Sequence, residues 1–172
     1  MKRLLIAFAV VSSVLVGCSR ARPATEQRVE FQEGPAAGVL RSGWSGFERT
    51  RDGVTFAWAE GTEASLRLAG TDPAPNAIRM RAWSFTYAGA APQRLTLFVN
   101  DNRVGELDVP SAPTELSVDT PWSVWRRDEN VLRLRFSRAD SPRDRIPGSP
   151  DGRRLAIAFD WISVGAGPDT RG

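Results

Sequence analysis

Histidine is absent from the 172 residues, cysteine and tyrosine occur once each, and Lys2 is the sole lysine. Without histidine the chain lacks the commonest general base, the commonest zinc ligand and any Ser-His-Asp arrangement. One cysteine cannot close an internal disulfide, so an exported domain must be held by its core alone. The basic charge is left to arginines, which are spread among 20 acidic residues without forming a cluster. The formal net charge is +3, and part of it sits on Lys2 and Arg3. A nucleic-acid partner is therefore not expected. Also missing are a helical apolar period, an internal repeat and any apolar run as long as a membrane-spanning helix.

The N-terminus is where something specific is present. Met1-Lys2-Arg3 is cationic, Leu4 to Val16 is apolar, and Gly17-Cys18 follows. The apolar run has the length of a signal-peptide core. Leu15-Val16-Gly17-Cys18 resembles the lipobox of bacterial lipoproteins. The resemblance implies cleavage before Cys18, a diacylglycerol on its thiol and acylation of the new amino group. Each buried acyl CH₂ adds ~0.8 kcal/mol of membrane affinity, so several chains hold firmly. Ser19 follows the cysteine where an Asp would retain the protein, which by analogy with diderm sorting signals favours the outer membrane. The expected partner is thus a membrane, through the lipid on Cys18, and the expected place is the bacterial cell envelope. The chain divides into a signal peptide over 1–17, a lipidated flexible tether over 18–37, a domain over 38–165 and a disordered tail over 166–172.

Gln93 to Val109 is the best-defined stretch. Leu95, Leu97 and Val99 alternate with Thr96 and Phe98, and a second run has Leu107 and Val109 opposite Glu106 and Asp108. Asn100-Asp101-Asn102 lies between them, so the stretch reads as a β-hairpin with a three-residue turn. Gly53 to Trp58, Ala64 to Ala69, Thr114 to Val118, Asn130 to Ser137 and Arg154 to Val164 also read as strands. Val29 and Phe31 can form a short first strand with Val39 and Leu40, and Ser42 to Glu48 is turn-rich. Seven to nine short strands between Pro- and Gly-rich loops predict an antiparallel β-sandwich.

Asn76 to Tyr87 changes phase. Ile78, Met80 and Ala82 alternate with Arg79 and Arg81, but Trp83, Phe85 and Tyr87 then fall on the arginine face. A bulge near Ala82 or Trp83 returns the aromatics to the core, and burial of Trp83 and Phe85 is the expected outcome for such large rings. Without the bulge, an Arg-Arg-Trp-Phe-Tyr stripe lines one face, and Trp83 and Tyr87 become ligand-stacking candidates. Trp122 and Trp125, with Arg126 beside them on the loop Pro121 to Asp128, are the candidates expected to be better exposed.

Gly43-Trp44 with Glu48, Gly53 to Trp58, Gln93 to Asn100 and Asn130 to Phe136, closed by Ser149 to Ile162, resemble galactose-binding-like jelly-roll domains. These occur as carbohydrate-binding modules and as accessory domains of bacterial envelope proteins. The resemblance spans about residues 38 to 165 and implies a jelly roll that binds a glycan or an envelope protein. It does not assign site residues, because a fold hosts many functions.

Carboxylate pairs suffice for glycoside hydrolysis, and Glu48, Glu60, Glu63 and Asp160 are available, but none lies in a nucleophile or acid–base motif. Asp160, between Phe159 and Trp161, is expected to pair with an arginine such as Arg49, Arg51 or Arg154. Asp101, Asp140, Asp144 and Asp151 are loop carboxylates without the spacing of a calcium loop. The sequence thus predicts a non-catalytic binding module with no cofactor and no metal. The alternatives are an accessory lipoprotein without a small-molecule ligand and a lipid-anchored hydrolase.

Overall fold

The computed structural model describes residues 26–70 and 74–165. The expected signal peptide, the lipidation site Cys18, the first part of the tether and the tail from residue 166 lie outside the described residues. Among the described residues no helix is long and apolar enough to cross a membrane.

The strands are β1 (Gln27–Glu30), β2 (Trp44–Arg49), β3 (Thr55–Glu60), β4 (Glu63–Ala69), β5 (Ala77–Ser84), β6 (Gln93–Val99), β7 (Asn102–Val109), β8 (Thr114–Asp119), β9 (Glu129–Phe136) and β10 (Leu155–Gly165). One sheet runs β2-β3-β10-β5-β8, with β1 on the second half of β10, and the other runs β4-β9-β6-β7. Every pairing between these strands is antiparallel. From β3 to β10 the chain mostly alternates between the sheets, which is the jelly-roll form of the β-sandwich.

β10 is the axis. It pairs with β3, β1 and β5 and is apolar on both faces. Ile157, Phe159, Ile162 and Val164 join the core between the sheets, where they meet Leu66, Leu95, Leu97, Leu132 and Leu134. Phe159 lies 5.5 Å from Trp44 and 5.9 Å from Phe31, ring centre to ring centre.

That aromatic cluster corrects the expected tether. The sandwich starts at β1, not near Gly38, because Gln27 to Glu30 extend the sheet along β10 while Phe31 and Ala36 are fully buried. Val29 and Phe31 do begin a strand region, but its partner is β10, not Val39 and Leu40. Ser42 to Glu48, read as turn-rich, contributes most of the strand Trp44–Arg49.

The hairpin β6–β7 is present with a shorter turn than expected. Val99 pairs with Asn102, so the loop is Asn100-Asp101, at φ 47° and 68°. Both central residues at positive φ make a type I′ turn, whose twist matches that of the strands. Asn and Asp reach this conformation at lower cost than other non-glycine residues. The expected extra residue is taken up instead by a register shift within β7, opposite Leu97 and Phe98.

The two ends of the sandwich differ. Gly165, Ala77, Asp119, Ala69 and the Asn100-Asp101 turn mark one end, where the described chain also begins at Glu26. The loops 85–92, 110–113 and 137–154 mark the other.

Candidate functional site

Alternation along β3 sends Ala57 and Ala59 into the core and leaves Phe56 and Trp58 on the outer face of the larger sheet. In β5, Ile78, Met80 and Ala82 point inward, so Arg79, Arg81 and Trp83 point outward. β5 keeps a regular register against β8 from Ala77 to Ala82, and the bulge expected in it is absent. The irregularity sits across from it, in β10, where Phe159 faces Ala82, Trp161 faces Arg81 and Asp160 is the additional residue. An extra residue in β10 relieves the mismatch between the strands without rotating β5, and so the Trp83 side chain stays outside.

Ala158 pairs with Trp58 on one side and with Trp83 on the other, so two indoles flank one small residue in a single row. Phe56 packs against both, at 6.0 Å from Trp58 and 5.1 Å from Trp83. Phe85 continues the chain at 6.1 Å from Trp58 and 5.9 Å from Tyr87. Phe56 and Phe85 are buried, whereas Trp58, Trp83 and Tyr87 are partly exposed. The rings meet mostly edge to face, with interplanar angles of 62° to 88° around Phe56 and Trp58. The surface is therefore a ridge with grooves, not a flat plate.

Fixed charges border this ridge. The Arg81 guanidinium donates from Nη1 to Asp160 Oδ2 at 2.8 Å, so the partner of Asp160 is Arg81 and not one of the three arginines expected. On the β2 side Arg153 donates to Glu48 at 2.6 Å and to Asp151 at 2.7 Å. Hydrogen bonds from Arg153 hold the Asp151 carboxyl below its ordinary pKa, and the same contacts raise that of Arg153. At the far end Asp140 accepts from Arg138 at 3.1 Å and from Arg145 at 2.9 Å. Burial works to raise the Asp140 pKa, but the two arginines outweigh it and the net shift is downward.

Of the sequence candidates, Trp83 stands on the ridge. Tyr87 stands at its end, partly exposed, with Arg138 and Arg145 at 5.7 and 5.2 Å from its ring centre. Trp125 is not available to a ligand. It is 9% exposed, and its indole N–H donates to Thr120 Oγ1 at 2.9 Å. Its neighbour Trp122 is 76% exposed, in a 3₁₀ turn (Trp122–Val124) at the opposite end from the ridge. Arg126 is exposed beside it, with its backbone N–H donating to Asn130 Oδ1 at 2.7 Å. The structure thus sets Trp83 and Tyr87 apart from Trp122 and Arg126, at different ends of the sandwich.

The sequence alone does not mark Phe56 and Trp58 as site residues. Their signal is the Phe56-Ala57-Trp58-Ala59 alternation, large and small, which hydropathy alone reads as uniformly apolar. Asp140 and Asp151 are taken by arginines, and Asp101 lies on the hairpin turn at the other end. Among the described residues no group of three or more acidic, His or Cys side chains is placed to hold a metal ion.

Two shallow clefts accompany the ridge. One of about 300 Å³ lies along β2, lined by Gln32, Phe47, Glu48 and Arg49 among others. The second, of about 370 Å³, opens between the sheets near Ser84, Gln93, Pro110 and Arg138.

No family model matches the chain, and no curated protein matches it by sequence. Among solved structures it is similar to the CBM36-1 domain of a multidomain xylanase from the hindgut metagenome of Trinervitermes trinervoides. That match has a TM-score of 0.47 and 11% identity, over 84% of this chain and 99% of the other. The C-terminal CBM6 of LamC, a laminarinase from Zobellia galactanivorans, is similar at TM-score 0.47 and 13% identity, over 81% and 98%. A CBM36 solved in complex with calcium and xylotriose is similar at TM-score 0.43 and 15% identity, over 81% and 98%. Likenesses this distant leave the ligand to be argued from this chain's own side chains.

Proposed function

We propose that the chain is a non-catalytic, lipid-anchored binding module of the bacterial cell envelope that takes a glycan on the outer ridge of the larger sheet. The observation that carries this reading is the row Trp58-Ala158-Trp83. Outward sheet positions facing water ordinarily hold polar residues, and here two indoles and their aromatic neighbours occupy them. Partly exposed indoles stack on the C–H faces of pyranose rings, and Glu48, Arg153 and Arg81 supply oriented donors and acceptors at the margin. The ion pairs fix those groups before a ligand arrives, which limits the ordering cost of binding. The lipobox-like Leu15 to Cys18 supports the anchor. Asp160 serves as a structural carboxylate in this reading, bound to Arg81 at 2.8 Å.

The test is binding of cell-wall and surface polysaccharides to the purified protein, by array or pull-down, beside Trp58→Ala and Trp83→Ala variants. Each variant is expected to lose about tenfold or more in affinity, as the loss of one stacking contact implies, with its thermal melt still cooperative. Binding unchanged in both variants would reject the ridge as the site. Absence of any glycan ligand would favour an accessory role without one.

A further inference from the structure

The exposed indole of Trp122 lies at the end of the sandwich where the described chain begins. Thr120 donates its backbone N–H to Asn76 O at 2.8 Å, and Asn76 donates its own to Gly165 O at 3.1 Å. Glu26 packs against Gly165, and Gln27 Nε2 donates to Ala69 O at 2.9 Å. Trp122, two residues after Thr120, thus shares this end with Glu26. Eight residues lead from Cys18 to Glu26. Whatever their conformation, they span at most ~28 Å.

The loop that carries Trp122 is held rigidly. Asn100 Nδ2 donates to Val124 O at 2.9 Å and to Asn130 Oδ1 at 2.7 Å, and Asn130 Nδ2 donates to Arg126 O at 2.9 Å. Trp125 anchors the loop from below through Thr120. Gly70 lies so close to the Arg127 backbone that a Cβ there would overlap it. A rigid loop that nevertheless leaves an indole 76% exposed is not explained by the stability of the sandwich. Pro121 and Ser123 beside it are exposed as well.

We infer that Trp122 is an interfacial membrane contact, inserted at the headgroup level of the bilayer that holds the acyl chains of Cys18. The inference rests on the anchor reading proposed above. An indole is apolar in its body and polar at its N–H, which suits it to the boundary between acyl chains and headgroups. The loop's Arg126 and Arg127 are offset by Asp119 and Asp128, while Glu129 pairs with Arg67 at 2.9 Å, so the contact depends on the indole and not on anionic lipid. The geometry also orients the ridge. Trp58 and Trp83 pair with Ala158, seven residues before Gly165 along β10. At ~3.3 Å per residue this places them roughly 20 Å farther from the bilayer than the Trp122 end, facing outward. The anchor restrains distance, and Trp122 restrains tilt.

The test uses the full chain purified from membranes and reconstituted in phosphatidylcholine vesicles whose acyl chains are brominated near the glycerol. Bromine quenches tryptophan at the interface. The wild type is expected to lose part of its emission relative to unbrominated vesicles, and Trp122→Ala is expected to remove that loss. Trp58→Ala is expected to retain it. Mass measurement of the Cys18 peptide and flotation of each protein with the vesicles are read alongside. Equal quenching in wild type and Trp122→Ala, with Cys18 acylated and both proteins floating, would overturn the Trp122 contact and leave the anchor standing. An unmodified Cys18 peptide in a wild type that does not float would overturn the anchor, and the contact with it. Quenching that appears only with brominated anionic lipid would overturn the indole contact in favour of an electrostatic one.

Discussion

Asp160 shows how a single carboxylate is tamed on an apolar strand. Its side chain is 13% exposed and bonded to Arg81, whose own side chain is 35% exposed. Because the arginine keeps part of its hydration, the pair is worth less than a fully buried one. Asp160→Asn keeps the shape and removes the charge, and is expected to cost about 1–2 kcal/mol. That corresponds to a melting temperature lower by ~2–8 °C for a chain of this size. Glycan binding should fall only as far as the folded fraction falls. A melt that does not move, together with lost binding, would place Asp160 in the ligand site instead.

Among the elements, the segment from Arg138 to Arg154 is the one most dependent on charge. Arg138 donates to Asp140 and to the carbonyls of Ala91 and Phe85, and Arg143 donates to Pro150 O. Gln93, 2% exposed, ties the start of this segment to the sandwich: Nε2 donates to Arg138 O and Ala156 O, while Oε1 accepts from Ser137 and Arg138. Asp140 and Asp151 have folded pKa values below the ordinary carboxylate value. Their stabilisation is therefore complete above the unfolded pKa of ~3.9 and is lost as pH falls through the lower folded values. The expected outcome is acid loosening of this segment before the sheets. Limited pepsin digestion at about pH 2.5 should cut within 138–154, whereas at about pH 4.5 the segment should resist. Uniform cleavage across the strands at the lower pH would contradict it.

For the whole molecule, the decisive feature is that β10 is covered on one face by the second sheet and on the other by the aromatic ridge. β1 completes its second half, and Phe31 closes the core against Trp44 and Phe159. A chain beginning at residue 38 loses both, and removal of a buried Phe alone typically costs ~3–5 kcal/mol. With no internal disulfide to offset that loss, the shorter chain is expected to be unfolded or to aggregate. A chain beginning at residue 26 should melt cooperatively. Circular dichroism of the two decides it, and a folded chain from residue 38 would make β1 an accessory strand.

Local pattern was enough to determine much of this protein. Period-2 alternation at Leu95 to Val99 and at Leu132 to Phe136 marks strands because their two faces differ in polarity. The same signal is silent where both faces are apolar. Phe56-Ala57-Trp58-Ala59 and Arg81-Ala82-Trp83 have two apolar faces, or a face that changes character, and only the packing of the second sheet determines which side is the core. That choice rested on one additional residue, Asp160, in a strand far away in sequence. Trp122 and Trp125 differ by three positions and share a loop, so composition treats them alike. One is buried and hydrogen-bonded to Thr120 and the other is exposed, a difference set by what the rest of the chain packs against each. The sequence determined strands, turns and the lipobox-like start, since these depend on neighbours within a few residues. Only the tertiary structure decided which aromatics face water, since that depends on what the rest of the chain covers.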